Sequence, residues 1–222
     1  MGSCVQRIVV LLGPPGAGKG TQAARMALHY GVPPISTGAM FRDMAAQETD
    51  LGRALQGYLD RGEYVPDDIV IRAVEARTAE PDCKDGFLLD GFPRTISQAQ
   101  TLEALLAGRK QQLTGVLVFK APIEVLVQRF SGRRVCPVDG STYHIETQPP
   151  LRPDVCDLCG TPLVSRPDDA PDVVQHRLEV YIEKTAPLRD YYRARGLLHK
   201  INAAPDPDTV FAQVIAVLDG LK

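Results

Sequence analysis

Short apolar runs recur along the chain, and stretches with apolar residues at every third or fourth position separate them. The runs cover residues 7–12, 86–90, 116–119 and, more weakly, 197–201. Such runs are typical of strands that a parallel sheet buries on both faces. The clearest helical stripe, from Val210 to Leu221, follows Asp206, which can cap the helix start. This alternation predicts an α/β fold with a mostly parallel sheet.

Two segments interrupt the alternation. Residues 37–65 contain two short helical patterns, with Gly62 as a plausible helix end. Residues 132–169 are rich in proline, contain three of the five cysteines and show no helical stripe. We therefore predict one core formed by residues 1–36, 66–131 and 170–222, with a first insertion at 37–65 and a second at 132–169.

Composition narrows the functional classes. The 222 residues include 25 Lys plus Arg against 27 Asp plus Glu, a net charge of −2, whereas general nucleic-acid binders are strongly basic. No apolar run approaches the roughly 18 residues of a membrane-spanning helix, and the amino terminus lacks a secretory pattern. We therefore expect a cytoplasmic protein that binds neither nucleic acid nor membrane.

A glycine-rich turn at 13–21 follows the first predicted strand and precedes a helical pattern through Ala24, Leu28 and Tyr30. Its exposed amides, the positive helix end and Lys19 together suit a polyphosphate. Gly20 stands between Lys19 and Thr21, so the spacing is a variant of the common phosphate-loop pattern. The alternative is a tight glycine turn without a ligand.

This turn and several later motifs resemble the adenylate kinases. GAGKGTQ at 16–22, STG at 36–38, DGFPRT at 90–95, GRR at 132–134 and TAPL at 185–188 stand in the order of the family's long form, across nearly the whole chain. The resemblance implies a P-loop kinase core with a five-stranded parallel sheet flanked by helices. It further implies an AMP-binding arm at 37–65, a mobile lid at 132–169 and a monomer.

The resemblance implies reversible, magnesium-dependent transfer of the ATP γ-phosphoryl group to AMP, giving two ADP. Such a transfer depends on positioning and charge neutralisation more than on acid–base catalysis. Guanidinium groups suit this task because they bind phosphate oxygens in pairs and keep their charge. The catalytic residues that the resemblance indicates are Lys19, Arg94, Arg129, Arg133, Arg166 and Arg177.

The resemblance also divides the nucleotide contacts. The ATP-binding residues would be Gly16, Ala17, Gly18, Lys19, Gly20, Thr21, Arg133, Thr142 and Tyr143, with the ATP base near residues 202–205. The AMP-binding residues would be Thr37, Arg42, Glu63, Tyr64, Val65, Gly91, Arg94, Gln98, Arg166 and Arg177. Asp90, after a buried strand, would hold Mg²⁺ through water, and the alternative is a turn cap. Ala39 stands where the family usually has aspartate, so we expect altered lid closure.

Two pairs of metal-ligand residues occupy the second insertion. Cys136 and Asp139, then Cys156 and Cys159, each have a two-residue spacer and resemble the zinc-bearing lid of many bacterial adenylate kinases. Zinc accepts three thiolates and one carboxylate in a tetrahedral site, which would be structural because no position stays open. His144 competes with Asp139 as the fourth ligand. A lid held by hydrogen bonds without metal is a further alternative.

Adenylate kinase activity, with ATP, AMP and ADP as ligands, is therefore the leading hypothesis. A kinase for UMP, CMP or GMP is the runner-up on the same fold. The paired metal-ligand pattern also occurs in nucleic-acid-binding zinc ribbons, but the near-neutral charge opposes that function. A non-catalytic nucleotide sensor would not need Lys19, Asp90 and the arginines together.

Overall fold

The computed structural model describes residues 6–221, so residues 1–5 and 222 of the predicted core lie outside the described part. The strands are β1 (Arg7–Leu12), β2 (Pro34–Ser36), β3 (Gly86–Asp90), β4 (Gly115–Lys120), β5 (Arg133–Val135), β6 (Thr142–His144) and β7 (Leu198–Asn202). The α-helices are α1 (Lys19–Tyr30), α2 (Thr37–Ala45), α3 (Asp50–Arg61), α4 (Asp67–Thr78), α5 (Ile96–Gly108), α6 (Ile123–Ser131), α7 (Pro171–Val180), α8 (Leu188–Arg193) and α9 (Pro207–Asp219).

Five parallel strands form the central sheet in the order β2-β3-β1-β4-β7, which confirms the predicted fold class. Alternate residues of β1 enter different clusters: Ile8 and Val10 pack on one face of the sheet, and Val9 and Leu11 pack on the other. The sheet is therefore covered on both sides, which explains the continuous apolar runs.

The strands β1, β3, β4 and β7 match the four predicted runs within one residue at each end, whereas β2, β5 and β6 correspond to no predicted run. At α9, the Asp206 side chain accepts hydrogen bonds from the amides of Asp208 and Thr209, as expected of a cap. Two details of the predicted helical stripes are wrong. The helix α9 ends at Asp219, before Leu221, and Leu28 of α1 is 89% exposed, since Gln22, Ala23 and Met26 form the buried face of α1.

The two insertions have different architectures. The first contains α2 and α3, and α3 ends at Gly62 as expected. The second contains the antiparallel pair β5-β6 and has its own small apolar cluster of Cys136, Tyr143, Cys156 and Leu163. Among residues 6–221, no helix combines the length and the apolar character that a membrane crossing requires.

Candidate active site and metal centre

A cleft of about 650 Å³ opens at the carboxyl ends of β1 and β3, where α/β sheets usually bind ligands. The glycine-rich turn, both insertions and the segment between β7 and α9 all contribute to its wall. Lys19 and the five arginines proposed for catalysis line it, and so does Arg42 from α2: the five are Arg94, Arg129, Arg133, Arg166 and Arg177. The cleft is therefore a site for a large anionic ligand.

The predicted ATP-binding residues all lie in the same wall: Gly16, Ala17, Gly18, Lys19, Gly20, Thr21, Arg133, Thr142 and Tyr143. The wall also includes Ala203, Ala204 and Pro205, close to the region expected for the ATP base.

Lys19 begins α1 directly after the glycine-rich turn. Gly18 caps the helix with φ 79°, a left-handed conformation that glycine adopts without strain. The Lys19 ammonium donates hydrogen bonds to the carbonyl oxygens of Gly13 and Pro14, at 2.9 and 3.0 Å. Burial lowers the pKa of Lys19 to about 8, although the nearby Asp90 carboxylate opposes the shift. An anionic ligand would restore the charged form.

Carboxylates and an aromatic ring hold two of the arginines. Arg133 pairs with Asp169 through two hydrogen bonds, and the Arg177 Nη1 lies 2.7 Å from the Asp168 Oδ2. Both guanidinium groups also lie over the Phe130 ring, at 5.0 and 5.8 Å from its centroid. These contacts fix the direction in which the two cations face the cleft.

Positive charge nevertheless remains in excess. Burial, and then the neighbouring Arg42 and Arg133, lower the pKa of Arg166 to about 10. Burial also lowers the pKa of Arg42, Arg129 and Arg177 below the usual arginine value. Crowded, desolvated cations raise the free energy of the site, and phosphate groups would relieve that cost.

Asp90 ends β3 in the wall of the cleft, beside the start of α1. A Cβ atom placed on Gly20 would lie 3.5 Å from the Asp90 Oδ2, so the carboxylate is close to the phosphate loop. This is a position from which it could ligate a metal ion through water.

The predicted AMP-binding residues divide into two groups. Arg42, Tyr64, Gly91, Arg94, Arg166 and Arg177 line the cleft, whereas Thr37, Glu63, Val65 and Gln98 are not part of the wall. Thr37, Val65 and Gln98 are buried, and Glu63 pairs with Arg61 at the surface. The prediction for Glu63 and Val65 concerns their backbone groups. A direct contact of the Thr37 or Gln98 side chain with a nucleotide requires movement of the wall.

Gln98 is held in one orientation. Its Oε1 accepts a hydrogen bond from the Arg94 amide at 2.7 Å, and its Nε2 donates to the Asp67 Oδ1 at 2.6 Å. The other Asp67 oxygen accepts from the Thr95 hydroxyl at 3.0 Å. Sequence reasoning missed Asp67, because its distance of 31 positions from Gln98 leaves no local signal.

Thr185 is a second missed contributor. Its hydroxyl donates to the Arg94 carbonyl at 2.9 Å and accepts from the Tyr64 hydroxyl at 2.8 Å. The Tyr64 ring lies 4.6 Å from the Arg94 guanidinium. Thr185 belongs to the TAPL motif, which the resemblance includes, but the motif by itself does not indicate a contact with Arg94.

The candidate metal centre lies in the second insertion. One ligand atom from each of Cys136, Asp139, Cys156 and Cys159 falls within 4.8 Å of the others. The Cys136 and Cys159 sulfurs are 3.3 Å apart, and the Cys156 sulfur is 3.1 Å from the Asp139 Oδ2. A tetrahedral zinc site with Zn–S bonds of about 2.3 Å places sulfurs about 3.8 Å apart, so small shifts accommodate the ion.

Asp139 and His144 differ in their surroundings. Hydrogen bonds from Ser141, and then from Cys156, hold the pKa of Asp139 well below its ordinary value, so the group is a carboxylate. The His144 Nε2 instead lies 3.2 Å from the Gln128 carbonyl, and its Nδ1 accepts from the amides of Glu146 and Thr147. His144 therefore lies outside the ligand group.

Comparison with known proteins identifies the family. A sequence model described as adenylate kinase matches residues 11–197. The chain belongs to the adenylate kinase family. The protein is therefore a nucleoside-monophosphate phosphotransferase, and its reaction converts ATP and AMP reversibly into two ADP.

Individual relatives align over nearly their whole length. The adenylate kinase of Shouchella clausii is 47% identical over 210 residues, which cover 95% of this chain and 97% of the relative. That of Caldanaerobacter subterraneus is 49% identical over 212 residues, or 96% of both chains. That of Thermotoga maritima is 44% identical, covering 95% of this chain and 96% of the relative. The adenylate kinase family resemblance thus spans the core and both insertions.

Proposed function

We propose that the cleft holds both nucleotides at once, with ATP along the phosphate loop and AMP against the first insertion. The observation that supports this most directly is the convergence of Lys19 and the arginines in one wall. The first insertion, 37–65, would act as the AMP-binding arm and the second, 132–169, as the lid. The core would comprise the remaining segments.

The proposed catalytic residues neutralise and align the transferred phosphoryl group. They are Lys19, Arg94, Arg129, Arg133, Arg166 and Arg177. Because the acceptor oxygen of AMP is already anionic, no general base is required, and direct in-line transfer follows from positioning. Closure of the lid would remove water from the phosphates and so suppress hydrolysis.

Base selection on the acceptor side is proposed to involve Gln98 and Thr37. The Gln98 amide keeps one N–H and one oxygen lone pair beyond its bonds to Asp67 and Arg94. One donor and one acceptor match the edge of adenine. Closing of the arm would bring this side chain into contact with the base.

Two metal ions have distinct proposed roles. Asp90 would hold Mg²⁺ through water, and the ion would supply charge neutralisation on the ATP phosphates. Cys136, Asp139, Cys156 and Cys159 would hold a structural zinc ion, because four protein ligands leave no open position. In this arrangement zinc would stabilise the lid and take no part in the transfer.

We further propose a cytoplasmic monomer that binds neither nucleic acid nor membrane. The four described cysteines are free thiols, as is usual in a reducing compartment, and the net charge of −2 gives no attraction for nucleic acid.

Initial rates with four acceptors test the assignment of the AMP site. With ATP as donor, AMP should exceed UMP, CMP and GMP at least tenfold in kcat/KM, because a site built for a hydrogen-bonding edge rejects mismatched bases. A pyrimidine preference would overturn the proposed role of Gln98.

Elemental analysis of untagged protein tests the metal centre and should give about one zinc per chain. Active protein without metal would overturn the zinc proposal.

A further inference from the structure

A proline-containing segment, residues 203–207, forms one side of the cleft between β7 and α9. Pro205 and Pro207 have no amide hydrogen. The Ala203 amide is bonded to the Lys120 carbonyl, and the Ala204 amide is bonded to the Asn202 Oδ1. These four residues thus offer no free backbone donor, and the Ala204 and Pro205 carbonyls each keep a lone pair beyond one hydrogen bond, which suits a base with an exocyclic amine.

Side chains of the core hold this segment by its carbonyl groups. The Arg129 Nη2 donates to the Ala204 and Pro205 oxygens at 3.3 and 3.2 Å. The Pro207 oxygen accepts from two residues of α1, the Gln22 Nε2 at 2.9 Å and the Arg25 Nη1 at 2.6 Å. The helix that begins at the phosphate loop therefore also fixes the position of segment 203–207.

Gln22 is unusual among these residues. It is only 2% exposed and lines the cleft, and its buried Oε1 has no hydrogen-bond partner among residues 6–221. Reversing the amide would place that oxygen against the Pro207 carbonyl, so the observed orientation is the favourable one. A buried acceptor without a partner reduces stability, and an apolar side chain of the same shape would avoid that cost. Stability alone therefore does not explain an amide here.

We infer that Gln22 is a positioning residue for the phosphoryl donor. It donates to Pro207 and thereby holds segment 203–207 at the distance from the phosphate loop that the base of ATP requires. Arg25 supports the same carbonyl from the next turn of α1. The inference rests on the proposed placement of ATP along the phosphate loop.

The test compares Gln22→Met and Arg25→Met with the wild-type protein, each with ATP varied at saturating AMP and then AMP varied at saturating ATP. Each substitution removes one hydrogen bond to the Pro207 carbonyl, and Arg25→Met also removes an ion pair with Asp208. The KM for ATP should therefore rise about three- to tenfold in each variant. The KM for AMP and kcat should stay within about twofold. The preference for ATP over GTP as donor should also decrease, because the carbonyl groups are no longer held in place.

Thermal unfolding separates positioning from stability. Gln22→Met should unfold at the wild-type temperature or above it, because the unpartnered oxygen is gone. The matched control is Gln56→Met, which removes an exposed amide bonded to Asp60 and should change neither KM. An unchanged KM for ATP in both variants, or an equal rise in both KM values, would overturn the role of Gln22. Wild-type protein without any preference between ATP and GTP would instead overturn the placement of the ATP base.

Discussion

Protein groups orient several cations of the cleft. Arg133 and Arg177 are paired with Asp169 and Asp168, and the Arg94 Nε donates to the Gly91 carbonyl at 2.8 Å. Charged groups that are fixed before the reaction stabilise developing charge without further reorganisation. At the residue scale, the site therefore depends on partners of the arginines as much as on the arginines.

The lowered pKa of Lys19 leads to a prediction about pH. Because Lys19 has a pKa of about 8 in the protein before ATP binds, kcat/KM for ATP should be constant below pH 8. Above pH 8 it should fall about tenfold for each pH unit. Bound phosphates favour the charged form, so kcat should stay level to higher pH. Steady-state kinetics between pH 6.5 and 10 check this, and Lys19→Met should lose both activity and the pH dependence. A level kcat/KM up to pH 10 would contradict the prediction.

Asp67 offers a second prediction at this scale. Asp67→Ala should raise the KM for AMP about tenfold, because Gln98 loses a charge-assisted hydrogen bond that fixes its amide. The KM for ATP should not change. Asp68→Ala is the matched control, since Asp68 shares the first turn of α4 but pairs with Arg72 at the surface. Equal effects of the two variants would mean that only the helix start matters.

At the scale of elements, the ends and irregularities of helices place side chains in the cleft. A π-helical turn at Tyr181–Thr185 follows α7, and both of its terminal residues line the cleft. Such turns are often found at functional sites. Phe130, near the end of α6, lies beneath the Arg133 and Arg177 guanidinium groups. Neither feature follows from apolar periodicity.

Gly62 permits a prediction about the end of α3. It has φ 69°, and a Cβ atom there would lie 2.7 Å from the Arg177 Cγ. Gly62→Ala should therefore cost about 1–2 kcal/mol of backbone strain and also raise the KM for AMP by displacing Arg177.

Gly31 provides the control for this change. It has φ 68°, and an added Cβ atom would meet no atom of residues 6–221 within 4 Å, so Gly31→Ala should show the backbone cost alone. Denaturant unfolding and AMP kinetics of both variants separate the two effects. An unchanged KM for AMP in Gly62→Ala would show that Arg177 does not depend on this contact.

At the scale of the whole molecule, the described residues form three apolar clusters. Two cover the faces of the central sheet, and the third belongs to the second insertion. The third consists of Cys136, Tyr143, Cys156 and Leu163, of which the two cysteines are proposed metal ligands. So small a cluster cannot support a fold alone, whereas structural zinc contributes about 10 kcal/mol or more in peptides.

Removal of zinc should therefore unfold the lid and leave the sheet intact. After chelation, amides of β5 and β6 should exchange hydrogen rapidly, while those of β1, β3 and β4 should keep their protection. Hydrogen-exchange mass spectrometry with and without chelator measures both regions. His144→Gln should retain zinc, whereas Asp139→Ala should lose it more readily. Unchanged exchange in the lid would show that packing and hydrogen bonds hold it without metal.

Local patterns explain why much of the fold was predictable. Buried parallel strands require continuous apolar runs, and the glycine-rich turn combines the residues that a phosphate loop needs. The spacing of Cys136, Asp139, Cys156 and Cys159 also predicted the ligand group that the structure brings together. The apolar pattern did not predict β2. This edge strand has three residues and begins with Pro34, so it is too short to contain an apolar run.

The sequence by itself determined the α/β class, the two insertions, the phosphate loop and the candidate ligand residues, because each depends on neighbouring positions. Only the tertiary structure decided how these parts are held. Hydrogen bonds join Arg133 to Asp169 and Gln98 to Asp67 across sequence separations of 36 and 31 residues. Gln22 is bonded to Pro207 across a separation of 185 residues. The tertiary structure also places the His144 ring beside the Gln128 carbonyl and outside the group of metal ligands. Such contacts depend on how helices pack around the sheet, and the packing exists only once the whole chain has folded.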